Sequence, residues 1–522
     1  MPIRQTKPSQ TTIAYPINIE RISRKDIAII GISLRFPQAS NMDEFTALLK
    51  DGRDCIGEIP GDRRKDIENY LRFAGKNPDA HENRKAAYLD RIDQFDNGFF
   101  KIPAKEASLM DPNQRLFLEV AWEAIEDSGN LARVRGRRVG VYVGCSVEYD
   151  YGRMVSDVEP DLMMMAVPGN CPSIISGRIA YFLDLKGPNM IINTVCSSSL
   201  VAVDLACQSI RGRQCDMAIA GGVEIYLLSA RIATGIGSAD GRTKTFDDRS
   251  DGTGIGEGVA AVLLKPLEDA INDGDNIYAV IKGTAVNQDG YSIGITAPNP
   301  VAQADVIERA WKDANITPDT ISYIEAHGTG TGLGDPIEIE GITRAFSKYT
   351  HRKQFCAVGS VKTNFGHLNC SAGIAGLLKA VASLRQKCLF PSIHFTKPNR
   401  KIGFHNSPVY INDILREWQP GGSPRRCGVS SFGYSGTNCH IVLEEAPSWE
   451  IPSNLLWDGL YVLTVTAMTE ASLKMLVQRY ISFLRDFPGE RIPDLCYTSN
   501  TGREHYQYRL AVTGKTGTEL RD

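Results

Sequence analysis

The chain has 522 residues, 42% of them hydrophobic and 23% charged, with a formal net charge of −3. That length gives room for two or three domains with sizeable cores, and the composition excludes general disorder. The near-neutral charge and the lack of a long Lys/Arg run argue against an electrostatic nucleic-acid binder. No stretch approaches eighteen uninterrupted apolar residues, and "MPIRQTKPSQTT" holds no apolar signal core, so no membrane partner is expected. Twelve cysteines without a CxxC pair, scattered from Cys55 to Cys496, fit neither a zinc site nor a small disulfide scaffold. The reading is a cytoplasmic protein with reduced thiols.

In chain order, residues 1–24 are polar and Pro-containing, a linker or docking arm. "DIAIIGISLRF" (26–36) opens the globular part as a strand, and "LFLEVAWEAIEDSG" reads as a helix. "RRVGVYVGCS", "MIINTV", "CDMAIAGGVEI" and "GVAAVLLKPL" supply further buried strands. A second series starts near residue 277 with "NIYAVIKGTAVN", then "ISYIEAHGTG", "QFCAVGSV" and "RCGVSSFGYSGTNCHIVLEEAP". Two successive series of strands alternating with helices predict an α/β protein of two similar halves. After Pro447 the texture changes, and residues 469–514 read as helix, turn, helix and one strand: a small appended domain.

Chemistry concentrates in four places. In "IINTVCSSSLVAVDLACQSIRG" (191–212), Met190–Val195 reads as a buried strand, and Leu200, Val203, Cys207 and Ile210 mark one face of a helix. Cys196 therefore falls on a strand-to-helix turn, with three serines placed to cap the first helical turn. Unpaired amide N–H groups at such a terminus favour the thiolate. One unit off a free pKa of ~8.5 takes the thiolate fraction at pH 7 from roughly 3% to about 25%. A buried structural cysteine is the other reading of the same position. "YIEAHGTGTGLGDPIE" (323–338) puts His327 in a glycine- and threonine-rich loop just past a strand, and "GSVKTNFGHLNCSAGIAG" (359–376) puts Lys362 and His367 on a second loop. "SSFGYSGTNCH" (430–440) is a third glycine-rich turn. None is a phosphate cradle, since "DGTGIGEG" leads into a strand and no GxxxxGK[ST] occurs. A cysteine at a helix terminus and two histidines in loops after strands share the end of the sheet where open α/β folds place ligands.

"CSSSLVA", "EAHGTGTGLGDPIE", "SVKTNFGHL" and "SSFGYSGTN", in this order, resemble the β-ketoacyl synthase domain of modular polyketide synthases, as do "DPNQRLFLEVAWEAIEDSG" and "GRTKTFDDRSDGTGIGEG". The likeness runs over residues 25–446, and 447–522 resembles the linker domain that follows such ketosynthases. The resemblance implies the thiolase fold, with two similar halves layered α/β/α/β/α, and a homodimer. It makes Cys196 the nucleophile that takes an acyl chain from an acyl carrier protein. His327 and His367 would assist malonyl decarboxylation and stabilise the enolate, with Lys362 ordering the region. Thr329 and Thr331 would bind the phosphopantetheine arm, and the backbone N–H groups of Cys196 and Tyr434 would form the oxyanion hole. No bound cofactor or metal is implied, because substrates ride on the carrier's phosphopantetheine. The other implied partners are neighbouring polyketide-synthase domains and an acyltransferase, in cis or in trans.

The chain departs from the family pattern before Cys196, where Asn193, Thr194 and Val195 stand in place of the usual Asp-Thr-Ala and so differ at 193 and 195, and at Asn369 and Cys370, where Glu-Ala usually follows Leu368. The carboxylate missing at 369 is an expected ion-pair partner of Lys362. "VPGNCPS" replaces a Gly-Thr-Gly-Asn run, and Met163–Met165 forms a cluster that reads as core or dimer contact, or as an acyl-tunnel lining. The resemblance implies decarboxylative Claisen condensation, and the same-fold alternative is a non-elongating ketosynthase that only passes acyl chains on. The "CSSSLVA" and "HGTGTGLGDP" contexts set the chain apart from a degradative thiolase acting on CoA, and Cys196 sets it apart from a structural chain-length subunit.

Overall fold

A computed structural model describes residues 23–80, 84–146, 150–228, 236–447, 459–485 and 487–522. The arm expected over 1–24 lies outside the described residues except for its last two. Eleven strands form one hydrogen-bonded sheet network. In its first half, β1 (Ile27–Arg35), β2 (Val139–Cys145), β3 (Asn189–Ile192), β4 (Met217–Glu224) and β5 (Gly258–Pro266) lie in the order β1-β5-β4-β2-β3. In the second, β6 (Ala279–Gln288), β7 (Ile321–Glu325) and β8 (Cys356–Gly359) are followed by a two-stranded ribbon of β9 (Cys388–Leu389) and β11 (Arg416–Glu417). β10 (Val409–Ile411), β12 (Arg426–Phe432) and β13 (Thr437–Glu445) complete it, in the order β6-β13-β12-β7-β8-β10.

The halves match in direction as well as in order. β1–β5 and β5–β4 are antiparallel and β4–β2 and β2–β3 parallel. Likewise β6–β13 and β13–β12 are antiparallel, and β12–β7 and β7–β8 parallel. The halves meet where β1 pairs antiparallel with β6. The two similar halves expected from the strand series are thus a repeat of topology.

Alternation along the strands builds the layers. In β1, Ala28 and Ile30 pack with the helix Pro112–Ser128, whereas Ile27, Ile29, Ile32 and Leu34 face a central helical layer. That layer holds two buried helices, Ser198–Arg211 after β3 and Ala372–Gln386 after β8. The helices Pro300–Ala314 and Gly334–Ser347 cover the outer face of the second half. Five layers result, α/β/α/β/α. Gly31 lets β1 approach the helix Pro112–Ser128 closely, since a Cβ there would lie 2.1 Å from Ala124 O.

Three expectations are corrected. The strand before Cys196 spans only Asn189–Ile192, and it is a sheet edge with Asn189 and Met190 exposed rather than a buried strand. The helix after it is buried nearly all round, Ser198, Ser199 and Asp204 included, because it lies between two sheets. The appended domain contains a second strand, β14 (Tyr461–Ala467), antiparallel to β15 (Tyr508–Gly514). This unit packs on the Pro112–Ser128 helix, where Arg503 donates to Glu126 O. Among the described residues no helix is long and apolar enough to cross a membrane.

Candidate active site

The topological repeat brings the singled-out residues together. The turn after β3 carries Cys196, and the equivalent loop after β8 carries Lys362 and His367. Val195–Ser197 forms a 3-10 turn that packs against the turn Asn369–Ser371. Val195 and Asn369 both hold left-handed backbones, with φ of 58° and 43°. For a β-branched residue that conformation is strained by of order 1–3 kcal/mol, whereas asparagine tolerates it. None of the three serines caps the helix as expected. Ser197 and Ser198 hydroxyls donate to Thr194 O and Val195 O within the turn, and Ser199 Oγ accepts the Ile374 N–H from the opposite half.

A cavity of about 550 Å³ opens over Cys196. Its wall includes His327, His367, Thr329, Thr331, Asn369, Phe432 and Tyr434, and also the carboxyl-bearing Glu338. The His327 and His367 rings meet edge to face with centroids 5.6 Å apart, and Phe432 lies 5.7 Å from His327. Asn369 N–H donates to His367 Nδ1 at 3.0 Å, which leaves the proton of the neutral ring on Nε2. Burial, then the Lys362 charge, holds both imidazoles well below the ordinary histidine value, so both are neutral at pH 7.

Cys196 behaves differently from the expectation at its helix terminus. Burial pushes the thiol up, against the Tyr434 N–H, the Lys362 charge and its own N–H, which favour the thiolate. Ser431 Oγ donates to Cys196 O at 2.9 Å and ties the Cys196 turn to β12.

Lys362 is buried and lowered by desolvation, with Glu325 and Glu338 acting to raise it. These carboxylates supply the local negative charge that a residue at 369 was expected to give. Glu338 accepts the N–H groups of His327 and Gly328, both at 2.7 Å, and Asp335 accepts those of Gly330 at 2.9 Å and Phe246 at 2.6 Å. Glu325 accepts the Val361 N–H at 2.6 Å and pairs with Lys379 at 3.0 Å, linking the two histidine loops. Sequence reasoning missed all three carboxylates. The signal was there for Asp335 and Glu338, three apart in "GDPIE" and hence on one helix face. "DGTGIGEG" also gains a role, as a backbone ledge. His367 N–H donates to Gly254 O at 2.8 Å and Gly256 N–H to His367 O at 3.1 Å, and a Cβ on Gly256 would lie 2.0 Å from Phe365 O. Met163–Met165 lies outside the cavity lining, and Met164 is 86% exposed.

Family models for the β-ketoacyl synthase N-terminal domain (residues 24–270) and C-terminal domain (278–396) match the chain, and a CurL-like polyketide-synthase C-terminal model matches 461–522. The ketosynthase from module 6 of the bacillaene synthase of Bacillus subtilis 168 is 39% identical with a TM-score of 0.83, covering 95% of this chain and 84% of that one. The chain belongs to the β-ketoacyl synthases of modular polyketide synthases. Ketosynthase twelve of the bacillaene polyketide synthase in Bacillus amyloliquefaciens aligns with a TM-score of 0.85 at 34% identity, covering 95% and 87% of the two chains. The five-layered architecture of this ketosynthase is accordingly the thiolase fold. It is also 42% identical over 524 residues to polyketide synthase PksL of Bacillus subtilis (strain 168), covering 95% of this chain and 11% of that protein. The ketosynthase thus spans about a tenth of the length of the curated relatives it matches first.

Proposed function

We propose that this ketosynthase elongates acyl chains by decarboxylative Claisen condensation on Cys196. The observation that supports this best is the sharing of one cavity by Cys196, two neutral histidines and the Tyr434 N–H. In the first half-reaction Cys196 sulfur attacks the thioester carbonyl of an acyl carrier protein. The tetrahedral oxyanion is held by the Cys196 and Tyr434 N–H groups, the carrier thiol leaves, and the Cys196 proton goes to it. A soft nucleophile suits this exchange, because its product remains an activated ester.

In the second half-reaction a malonyl thioester enters along Thr329 and Thr331. It loses carbon dioxide, and the electron pair of the broken bond becomes an enolate whose oxygen His327 and His367 stabilise. The enolate carbon attacks the acyl–Cys196 carbonyl, the C–S bond breaks, and the cysteine takes up one proton. Each positioned donor contributes about 3 kcal/mol. Lys362, with Glu325, Asp335 and Glu338 around it, holds the histidine loops in place.

Residues 25–446 form the condensing unit, 447–522 the linker domain behind it, and 1–24 a docking arm. Partners are the phosphopantetheine-bearing carrier protein, neighbouring synthase domains and an acyltransferase, with the whole assembly in the cytoplasm. A second copy covers the apolar face around the edge strand β3, where Met164, Met165, Val167, Tyr181 and Met190 are exposed. The test separates the half-reactions. His327→Ala is expected to load an acyl group on Cys196 but not to extend it with malonyl carrier protein, as read by intact-protein mass spectrometry. Wild type that loads several acyl chains yet extends none establishes the non-elongating alternative. Normal extension by His327→Ala removes that histidine from the mechanism.

A further inference from the structure

Two residues on the cavity wall hold a buried side-chain atom without a hydrogen-bond partner among the described residues: His327 at Nδ1 and Gln303 at Oε1. His327 has its work in the mechanism above, and Gln303, only 2% exposed, has none. Asn299 caps the helix Pro300–Ala314 with its side chain and takes the Gln303 N–H on its carbonyl at 3.0 Å, which fixes the start of the Gln303 side chain. That side chain runs to the helix Gly334–Ser347, where a Cβ on Gly341 would lie 3.0 Å from Gln303 Cβ and 3.3 Å from Oε1. Gly334, Glu338 and Gly341 share one face of this helix, and the first two line the cavity. The same part of the wall carries Thr296, Gly332 and Leu333, all exposed, and is therefore the mouth.

A buried acceptor without a donor costs free energy that a ligand N–H recovers. The carbonyl and carboxylate oxygens of acyl and malonyl thioesters are themselves acceptors. N–H donors come from the two amides of the pantetheine arm, whose hydroxyl stands at the far end beside the phosphate. Resting on the reading of the site given above, we infer that Gln303 binds the carrier's arm, with Oε1 accepting one of its amide N–H groups. The last torsion of a glutamine side chain is soft, and with no side chain at Gly341 the carboxamide turns to present Oε1 to the arm. Thr331, whose hydroxyl accepts the Gly334 N–H at 3.1 Å, borders the start of the same helix, so Gln303 and the threonines meet the arm from neighbouring surfaces. A site built to hydrogen-bond a substrate N–H discriminates against the analogue that lacks it.

The experiment compares acylation of Cys196 by butanoyl-pantetheine and by two analogues, each with an ester oxygen in place of one amide N–H. Intact-protein mass spectrometry over time gives kcat/KM for each thioester. Wild type is expected to lose about 5-fold on at least one analogue, through a raised KM. Gln303→Met, similar in length but a poor acceptor, uses that analogue and the parent within about 2-fold of each other, even if total loading falls. A purely structural glutamine would instead slow all three thioesters alike on replacement and leave the discrimination in place. Wild type that uses all three within about 2-fold, or discrimination that survives in Gln303→Met, overturns the assignment. Wild-type Cys196 that takes an acyl group from none of the three overturns the reading of the site itself, and this inference with it.

Discussion

Gly433 tests the oxyanion hole without touching a reacting side chain. It lies between Phe432 and Tyr434 on the cavity wall, and a Cβ there would be 2.4 Å from Thr194 O, 2.9 Å from Ser197 Oγ and 3.0 Å from Thr437 O. The nearest of these is backbone, roughly 1 Å inside ordinary contact, so it cannot rotate away. In Gly433→Ala the methyl therefore wedges the β12–β13 turn off the Cys196 turn and carries the Tyr434 N–H with it. A donor displaced by about 1 Å no longer makes a hydrogen bond of useful strength. Losing one oxyanion donor costs about 3 kcal/mol, or about 10²-fold in rate. The expected result is a fall of that size in single-turnover acylation of Cys196 by an N-acetylcysteamine thioester. Urea unfolding should lose only about 1–3 kcal/mol, as for other overpacked sites. Acylation within 3-fold of wild type by a folded variant refutes the role given to the Tyr434 N–H. Because both half-reactions pass through an oxyanion, elongation must fall as well, unlike the selective loss expected for His327→Ala.

Other outcomes follow from the same geometry. Cys196 should be the only readily acylated thiol, since nine of the twelve cysteines are buried and the half-buried Cys171 and Cys388 do not line the cavity. Undiminished labelling of Cys196→Ala in peptide mapping would count against it. Burial pushes the Glu338 carboxyl up from its ordinary 4.5 to about 7. Its contribution to stability is therefore full below about pH 4.5 and is lost as pH rises through 7. Glu338→Gln removes this titration, so the variant should gain on wild type by about 3 kcal/mol between pH 5 and pH 8 in urea melts. A stability difference constant over that range sinks the point. The apolar face around β3 should hold a homodimer in light scattering, and Tyr181→Asp combined with Met164→Asp should yield monomers. A wild-type monomer at micromolar concentration would decide against it.

Much of the molecule was legible before folding because its signals are local. β1, β2, β4 and β5 each announce themselves by apolar β-branched runs, and the helix Pro112–Ser128 by its Asp111 cap, Pro112 at the first turn and left-handed Gly129 after the last. Four short motifs in order singled out Cys196, His327 and His367, and the fold brings the three to one cavity. Tertiary structure alone decided three things. The pairing of β1 with β6 joins the halves, so loops more than a hundred residues apart converge on one cavity. Burial of Cys196 there outweighs the helix terminus, and no one-dimensional pattern reports that desolvation. In sequence Glu325 looks like an ordinary carboxylate at a strand end, and the spacing of Asp335 and Glu338 says only that the two share a helix face. Only the fold puts them under the histidine loops, where their oxygens meet backbone N–H groups that would otherwise be buried without partners.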